Sequence, residues 1–491
     1  MFVILYTCYT NIEKLDSKAS IKAYFDQTAE KRLKWKRRNR FYHKSLERYF
    51  SGIIPQGSIV LEIGCGTGDL LAAVKPSYGT GIDFSEEMLS VARERYPELH
   101  FINVDLEISE TKKNITDPIG RIYDYIIISD LLHVLLDVQV VFHHLHAYCH
   151  QGTRIVISNY NFLWEPILKF GELIRLKQKS ANSNWLSHQD IFNLLLIEDF
   201  AVITNYRKLL LPKYVPVLNY FFNRVLVNLP FFNYFGLINF IIARPNKLPT
   251  KRDYQVSIIV PARNEQGNIE NAILRIPDFG KSQEIIFVEG HSSDSTWEEM
   301  QRIRLKYKNK NIKLLQQTGK GKGNAVREGF ETATGEILMI LDADLTTPPE
   351  ELPKFYKALA DQKGEFINGC RLVYPMDKEA MRFLNLLANK FFGLLFSYLL
   401  GQRLKDTLCG TKALFKTDYE KIKANRYYFG EFDPFGDFDL LFGASKLNLK
   451  ITEVLIRYKE RTYGSTQISR FRHGWLLLRM SIIAAGKIKF K

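Results

Sequence analysis

Val60-Leu61-Glu62-Ile63-Gly64-Cys65-Gly66-Thr67-Gly68 is an apolar strand breaking into three alternating glycines. Glycine there permits a tight turn and lets a ligand reach the backbone with no Cβ in the way. Asp83 ends the next strand, Gly81-Ile82-Asp83, at the spacing of about 20 residues where a carboxylate meets ribose hydroxyls in nucleotide-binding βαβ units. Outward from this turn, Ser58–Ile63, Tyr78–Phe84, His100–Leu106, Tyr123–Ser129 and Thr153–Ser158 read as buried strands alternating with helical stretches. After the polar, proline-bearing stretch near residue 250, Val256–Val260, Glu284–Val288, Ile312–Leu315 and Ile337–Leu341 repeat the pattern. Such alternation predicts βαβ units and mostly parallel sheets. The expected organisation is two α/β domains, 1–245 and 254–491, with a linker at 246–253.

The chain has 491 residues, 46% hydrophobic and 25% charged, enough apolar material for two cores. That composition excludes a disordered chain, a fibre and a multi-span membrane protein. Net charge is +15, yet Lys31–Arg48 and Lys450–Lys491 carry the excess and leave the rest near neutral. Around Trp35 the basic run Lys31–Arg40 suits an anionic membrane surface or a solvated helix better than nucleic acid. The tail Arg470–Lys491, basic beside apolar Trp475–Leu478, points the same way. Five scattered cysteines form no CxxC pair, so neither disulfides nor a structural zinc are expected, and the setting reads as cytosolic, peripheral on the inner face of a membrane. The run Phe2–Tyr6 is too short to span and has no basic residue before it.

Two stretches invite a membrane reading. Val225–Ala243 is uncharged but broken by Asn228, Pro230, Asn233, Gly236 and Asn239, which predicts a hairpin and strand closing the first sheet. Phe383–Leu400 has helical periodicity with Lys390 in its middle, the pattern of a buried helix or of one lying in a membrane interface.

The GxGxG spacing of the first turn, with Glu62 two residues before Gly64, resembles the class I S-adenosylmethionine-dependent methyltransferases over roughly residues 20–245. The resemblance implies a Rossmann-like fold. It places Glu62, Gly64, Gly66 and Gly68 at the methionine end of the cofactor, Asp83 at the ribose and Asp105 at the adenine. His133, just after the strand Tyr123–Ser129, falls where such enzymes hold acceptor-side residues and is the candidate base. His143, His144, His146 and His150 lack a carboxylate on their face and read as a surface helix.

In the second half, Leu341-Asp342-Ala343-Asp344 sets two carboxylates at i and i+2 at the end of an apolar strand. They repel one another unless a cation lies between them, and hard oxygen ligands there suit Mg²⁺ or Mn²⁺ on a diphosphate. With Val256–Glu265 and Pro348-Pro349-Glu350, this motif resembles the GT-A glycosyltransferases of family 2 over roughly 254–470, most closely the dolichol- or polyprenyl-phosphate sugar transferases. The resemblance implies a nucleotide-diphosphate sugar held by Pro261, Arg263, Glu265 and Glu289, with Lys322 in a loop around the diphosphate. It implies a metal on Asp342 and Asp344, an acceptor phosphate on Arg371 and Arg382, and Arg461 closing over the diphosphate. For a neutral hydroxyl acceptor the base would be Asp437 or Asp439. Departures are Thr346 in place of a glutamine, Glu289-Gly290 in place of Asp-Asp, and Ser465-Thr466-Gln467 where a lysine is usual. The expected protein is a bifunctional enzyme of one glycan or lipid pathway, with polyprenyl phosphate as sugar acceptor and an undefined methyl acceptor. The alternatives are a glycan or natural-product hydroxyl as sugar acceptor, and a first domain that is a nucleic-acid methyltransferase or a non-catalytic binding module.

Overall fold

The computed structural model describes residues 18–108, 121–179, 184–246, 252–374, 383–426, 436–461, 463 and 470–490. The chain divides into two compact units, Met1–Asn246 and Lys247–Lys491.

The first unit is built on seven strands: β1 (Ile59–Ile63), β2 (Tyr78–Asp83), β3 (His100–Asn103), β4 (Tyr123–Ser129), β5 (Cys149–Tyr160), β6 (Phe200–Lys208) and β7 (Ile238–Pro245). Their order is β3-β2-β1-β4-β5-β7-β6. β1 to β5 run parallel, and β7 is wedged antiparallel between β5 and β6. This is the Rossmann-like, methyltransferase-type sheet that the glycine turn implied. The central strands are buried on both faces, so they are runs of Ile and Val rather than alternating patterns. Parallel strands place all their carboxyl ends on one edge, and the turn after β1, Asp83 at the end of β2 and the residues after β4 therefore gather there.

The expected hairpin within Val225–Ala243 is corrected. Its second part is β7, but its first part is the helical turns Leu226–Asn228 and Pro230–Asn233. Asparagine and proline interrupt strand pairing, and here the asparagine amides serve the backbone of neighbouring segments instead.

The second unit has β8 (Gln255–Ala262), β9 (Ser282–Glu289), β10 (Asn311–Gln316), β11 (Ile337–Ile340), β12 (Phe366–Cys370), β13 (Lys412–Phe415) and β14 (Ile451–Leu455). The order is β10-β9-β8-β11-β13-β12-β14. The first four strands are parallel, β13 is antiparallel to both neighbours, and β14 pairs parallel with β12. This is the mixed GT-A-like sheet. Phe383–Leu400 is one helix, with Phe392, Phe396 and Leu399 in the core and Leu387, Phe391 and Leu394 exposed. Phe396 stacks on Phe442 with ring centroids 5.4 Å apart. Among the described residues no helix is long and apolar enough to cross a membrane.

Phe396→Ala removes a fully buried ring and is expected to cost about 3–5 kcal/mol. Leu394→Ala, on the exposed face of the same helix, is expected to cost under about 0.5 kcal/mol. Thermal unfolding of the full chain compares them; equal shifts would mean that this helix is not packed as described.

Candidate functional sites

In the first unit Gly64, Gly66 and Gly68 all have positive φ, 70°, 52° and 74°, a turn that a side chain would strain. The Gly66 amide donates to Asp83 Oδ2 at 2.8 Å and the Ser85 amide to Asp83 Oδ1 at 3.0 Å. Asp83 thus ties the glycine turn to the end of β2, and burial raises its carboxyl above the usual range. Glu62 is buried on β1 and its Oε2 has no partner among the described residues. Burial pushes its carboxyl up to about 8, against the opposing field of Lys36. A buried acceptor left open in this way fits a cationic ligand group such as the ammonium of the methionine end of S-adenosylmethionine. Asp105 pairs with Lys18 at 2.9 Å. Both line a small cavity with Asp83, Phe84 and Leu106.

A larger cleft of about 550 Å³ opens beside the turn, lined among others by Glu62, Gly64, Gly66, Asp69 and Asp130. Its opposite wall comes from the basic run. Lys36, inside the helix Lys18–Arg38, donates to Thr67 Oγ1 at 2.7 Å and pairs with Asp69 at 2.5 Å. Arg32, Arg37 and Arg40 line the same cleft. The basic run is thus a cleft wall in part, which composition alone did not suggest.

Past β4 the structure favours a different base from the one expected. His133 is shielded, its Nδ1 has no partner among the described residues, and burial drives its pKa down to about 3. It is neutral at pH 7 and weakly basic. Three residues earlier, Asp130 adopts φ 50°, a left-handed conformation that costs energy for a non-glycine residue. Tyr42 donates to its Oδ2 at 2.6 Å, while Oδ1 is shielded without a partner among the described residues. Burial raises Asp130 to about 6. Sequence reading passed over Asp130, although a carboxylate one residue beyond a buried strand was visible. Tyr42 lies 88 residues away and could not be associated with it. The histidine cluster is turned elsewhere, with His143 Nδ1 3.0 Å from Glu198 and His146 Nε2 2.6 Å from the Glu198 carbonyl.

In the second unit Asp342 and Asp344 each hold a cation. Lys322 Nζ lies 2.5 Å from Asp342 Oδ1. Arg461 bridges Asp344 Oδ2 at 2.7 Å and Glu265 Oε1 at 2.9 Å. Burial alone would raise the Asp342 carboxyl, but Lys322 overrides it and the net shift is downward. Glu265 shifts up through burial, opposed by Asn268 and Arg461. Thr346 donates to Asp344 Oδ1 through Oγ1 at 2.8 Å; the residue in the glutamine's place thus orients the second aspartate. Glu289 accepts from the Ser292 amide at 2.5 Å. Asn264, at φ 56°, accepts from Ser293 N at 2.7 Å, joining the loop after Pro261 to the loop after β9. Arg263 is exposed between them. His291 (φ 57°) and Leu345 (φ 54°) are also left-handed, so strained residues cluster at this edge of the sheet.

The segment Asp406–Lys412 was missed by sequence reading. A Cβ on Gly410 would strike both Asp342 Oδ2 and Lys322 Nζ, so a side chain there would displace the ion pair of the first aspartate. Lys412 is buried and adds to the positive field on Asp342. Asp406 is fully buried and binds Arg371 in a two-pronged ion pair, 2.7 Å at Nε and 2.8 Å at Nη2. Arg371, expected at the acceptor phosphate, is thus held by Asp406 here, as Lys322 and Arg461 are held by their own carboxylates. Asp439 is likewise paired, with Arg426 at 2.8 Å, which leaves it poorly placed as a free base. Arg382, the side chain of Asp437 and residues 464–467 lie outside the described residues.

Two adjacent carboxylates flanked by Lys322 and Arg461 fit a divalent cation carrying a diphosphate. The donors are hard oxygens, and the two basic side chains can turn to phosphate oxygens once a cation takes the carboxylates. Among the described residues no three His, Cys, Asp or Glu side chains form a ready-made cage, so such an ion would be completed by ligand and water.

Comparison with known proteins bears on both units. A family model described as glycosyl transferase family 2 matches residues 257–422, and one described as a methyltransferase domain matches residues 61–155. A dolichol-phosphate mannosyltransferase of Pyrococcus furiosus is 39% identical over 108 residues, 21% of this chain and 30% of the relative. One from Saccharomyces cerevisiae is 36% identical over 113 residues, 22% of this chain and 42% of the relative. An undecaprenyl-phosphate 4-deoxy-4-formamido-L-arabinose transferase of Salmonella paratyphi B is 31% identical over 146 residues, 28% and 44%. The chain spans less than half the length of each of these relatives. Among solved structures, a SAM-dependent methyltransferase from Thermotoga maritima aligns at TM-score 0.35 and 15% identity, covering 46% of this chain and 99% of its own.

Glu62 yields a test. Its folded-state pKa is raised, so the folded protein favours the protonated form, and stability falls as pH rises from about 4.5 toward about 8. Glu62→Gln is expected to stabilise the unliganded protein at pH 8 by on the order of 1–2 kcal/mol, with little effect at pH 4.5. Thermal unfolding at the two pH values measures this; equal effects at both would rule out a buried, proton-linked carboxyl.

Proposed function

We propose that this chain, a methyltransferase domain joined to a family 2 glycosyl transferase domain, transfers a sugar from a nucleotide-diphosphate sugar to polyprenyl phosphate and a methyl group from S-adenosylmethionine to an acceptor of the same pathway. The observation that carries the first half is the pair Asp342 and Asp344, each matched by a basic side chain, Lys322 and Arg461. The named activities of the relatives support the lipid-phosphate acceptor.

In sugar transfer the bond between the anomeric carbon and the diphosphate oxygen breaks as an acceptor oxygen attacks from the opposite face, giving inversion. Asp342 and Asp344 would hold a divalent cation, which would supply charge neutralisation for the diphosphate. Lys322 and Arg461 stand beside the two aspartates, where they could turn to phosphate oxygens and offset the charge that develops on the leaving group. Pro261, Arg263, Glu265 and Glu289 border the base and ribose. A phosphate acceptor is already anionic and needs no base. A hydroxyl acceptor would need one; Asp439 is paired with Arg426, and Asp437 is the other candidate. Donor turnover with UDP- and GDP-sugars, Mg²⁺ or Mn²⁺ and short polyprenyl phosphate tests the assignment. Asp344→Ala is expected to lower transfer at least about 10²-fold, and undiminished transfer in that variant would sink the metal reading.

In methyl transfer Glu62, Gly64, Gly66 and Gly68 hold the methionine end, Asp83 the ribose and Asp105 the adenine, with Lys18 yielding its place at Asp105. The sulfonium is already activated, so the protein mainly aligns the acceptor. Asp130, oriented by Tyr42, is the group placed to accept its proton. With Asp130 near 6, kcat/KM for a hydroxyl acceptor is expected to fall tenfold per pH unit below about 6. Asp130→Asn should lower the plateau by about 10²–10⁴-fold and flatten that acid limb. An acid limb unchanged in the variant would exclude Asp130 as the base.

A further inference from the structure

The region 209–236 of the first unit turns several asparagine amides inward and many aromatic and aliphatic side chains outward. Asn219 donates to the Lys213 carbonyl at 3.0 Å, Asn223 to the Leu211 carbonyl at 2.8 Å, Asn228 to the Arg224 carbonyl at 2.8 Å and Asn233 to the Arg207 carbonyl at 2.9 Å. The asparagines therefore staple the backbone from within. The outer face carries Val217 (83% exposed), Phe231 (68%), Tyr220 (64%) and Tyr234 (61%). The helix Glu165–Leu173 continues this face, since Trp164 Nε1 donates to the Phe235 carbonyl at 2.8 Å and Phe170 and Leu173 are exposed. Scattered exposed apolar residues are ordinary, but a contiguous aromatic face marks an interaction surface.

Charge selects the partner. From residue 200 to residue 252 the sequence has no Asp or Glu, while Lys213 and Arg224 stand exposed within the region. The acids of the neighbouring helix are matched, Glu165 by Lys169 and Glu172 by Lys177. At one border Phe41 packs against Tyr214 with centroids 5.7 Å apart, and Lys213 donates to Asn39 at 2.6 Å. This brings the exposed Arg37, Arg38 and Arg40 to the edge of the patch. Arg37 and Arg40 also line the methyl-transfer cleft.

We infer that this face is the surface by which the first unit lies on an anionic lipid bilayer, with the cleft beside the lipid. Aromatic and aliphatic side chains enter the interface, Lys and Arg meet the headgroups, and the asparagines already pair several of the backbone polar groups internally. A second copy of the chain fits less well, because a two-fold contact across this face would set like charges together. The inference deepens the lipid-acceptor reading: the methyl acceptor is a headgroup or lipid-linked sugar presented at the membrane.

Co-sedimentation of the full chain with phosphatidylcholine vesicles, with and without roughly one third phosphatidylglycerol, tests it. Binding is expected to the anionic vesicles and to weaken with salt. Phe170→Ser with Phe231→Ser should reduce partitioning about tenfold, and so should Lys213→Glu with Arg224→Glu, which leaves the apolar face intact should the first pair fail to fold. Patch variants that sediment like the parent, while Leu394→Ser with Trp475→Ser in the second unit releases the protein, would overturn the inference. So would a parent that ignores anionic vesicles and dimerises in sedimentation velocity. Transfer to a short, water-soluble prenyl phosphate without vesicles reports on the acceptor reading alone and is expected to stay unchanged in the patch variants.

Discussion

Both units solve the same electrostatic problem: carboxylates gathered at the carboxyl edge of a parallel sheet must be balanced by cations brought from distant parts of the chain. Four acids, Glu265, Asp342, Asp344 and Asp406, meet Arg461, Lys322 and Arg371 in the second unit. In the first unit Asp69 draws Lys36 down from the N-terminal helix, while Glu62 is left open. Like charges this close cannot all stay ionised without partners. The partners are exchangeable, and that connects stability to chemistry. A metal cation taking the place of Lys322 at Asp342, with a diphosphate drawing Lys322 away, would use the same attraction that organises the site.

The strain around these edges has a common origin. Asn264, His291 and Leu345 in one unit and Asp130 in the other are left-handed non-glycine residues. Asn264, His291 and Asp130 lie one or two residues beyond a strand end and Leu345 five beyond, where the chain turns to aim a side chain or amide at the site. Such conformations persist only when surrounding contacts hold them, as Ser292 and Ser293 hold Asn264 and Tyr42 holds Asp130. Glycine solves the same problem after β1, where Gly64, Gly66 and Gly68 take positive φ.

The inverted segment 209–236 follows a different logic. Its asparagines looked in sequence like interruptions of an apolar run, and that excluded a spanning helix. Their real use is to satisfy backbone groups, which frees the aromatic side chains to face outward. A surface that has settled its own hydrogen bonds can meet lipid without a further polar penalty. Arg37 and Arg40, beside this border, also line the cleft next to the glycine turn, so a ligand bound to this face would lie close to that cleft.

Much was legible from local sequence, because strand runs, glycine turns and strand-end carboxylates are short-range features. The GxGxG turn with Asp83, and Asp342 with Asp344, identified both sheets and both site edges, since a parallel sheet leaves little choice about where its strand ends lie. Partners at long range were not legible. Arg461, 117 residues from Asp344, was reached only through the family resemblance and not from local pattern, nothing near Arg371 announces Asp406, and Tyr42 is remote from Asp130. Those pairings are made by packing, and sequence periodicity carries no information about which of many lysines, arginines or tyrosines arrives at a given carboxylate. The sequence by itself therefore determined the two α/β domains and the kinds of group at their strand ends. Only the tertiary structure decided which charges are already matched, which stay open to a ligand, and which apolar side chains are left facing out, because each depends on three-dimensional neighbours rather than on chain order.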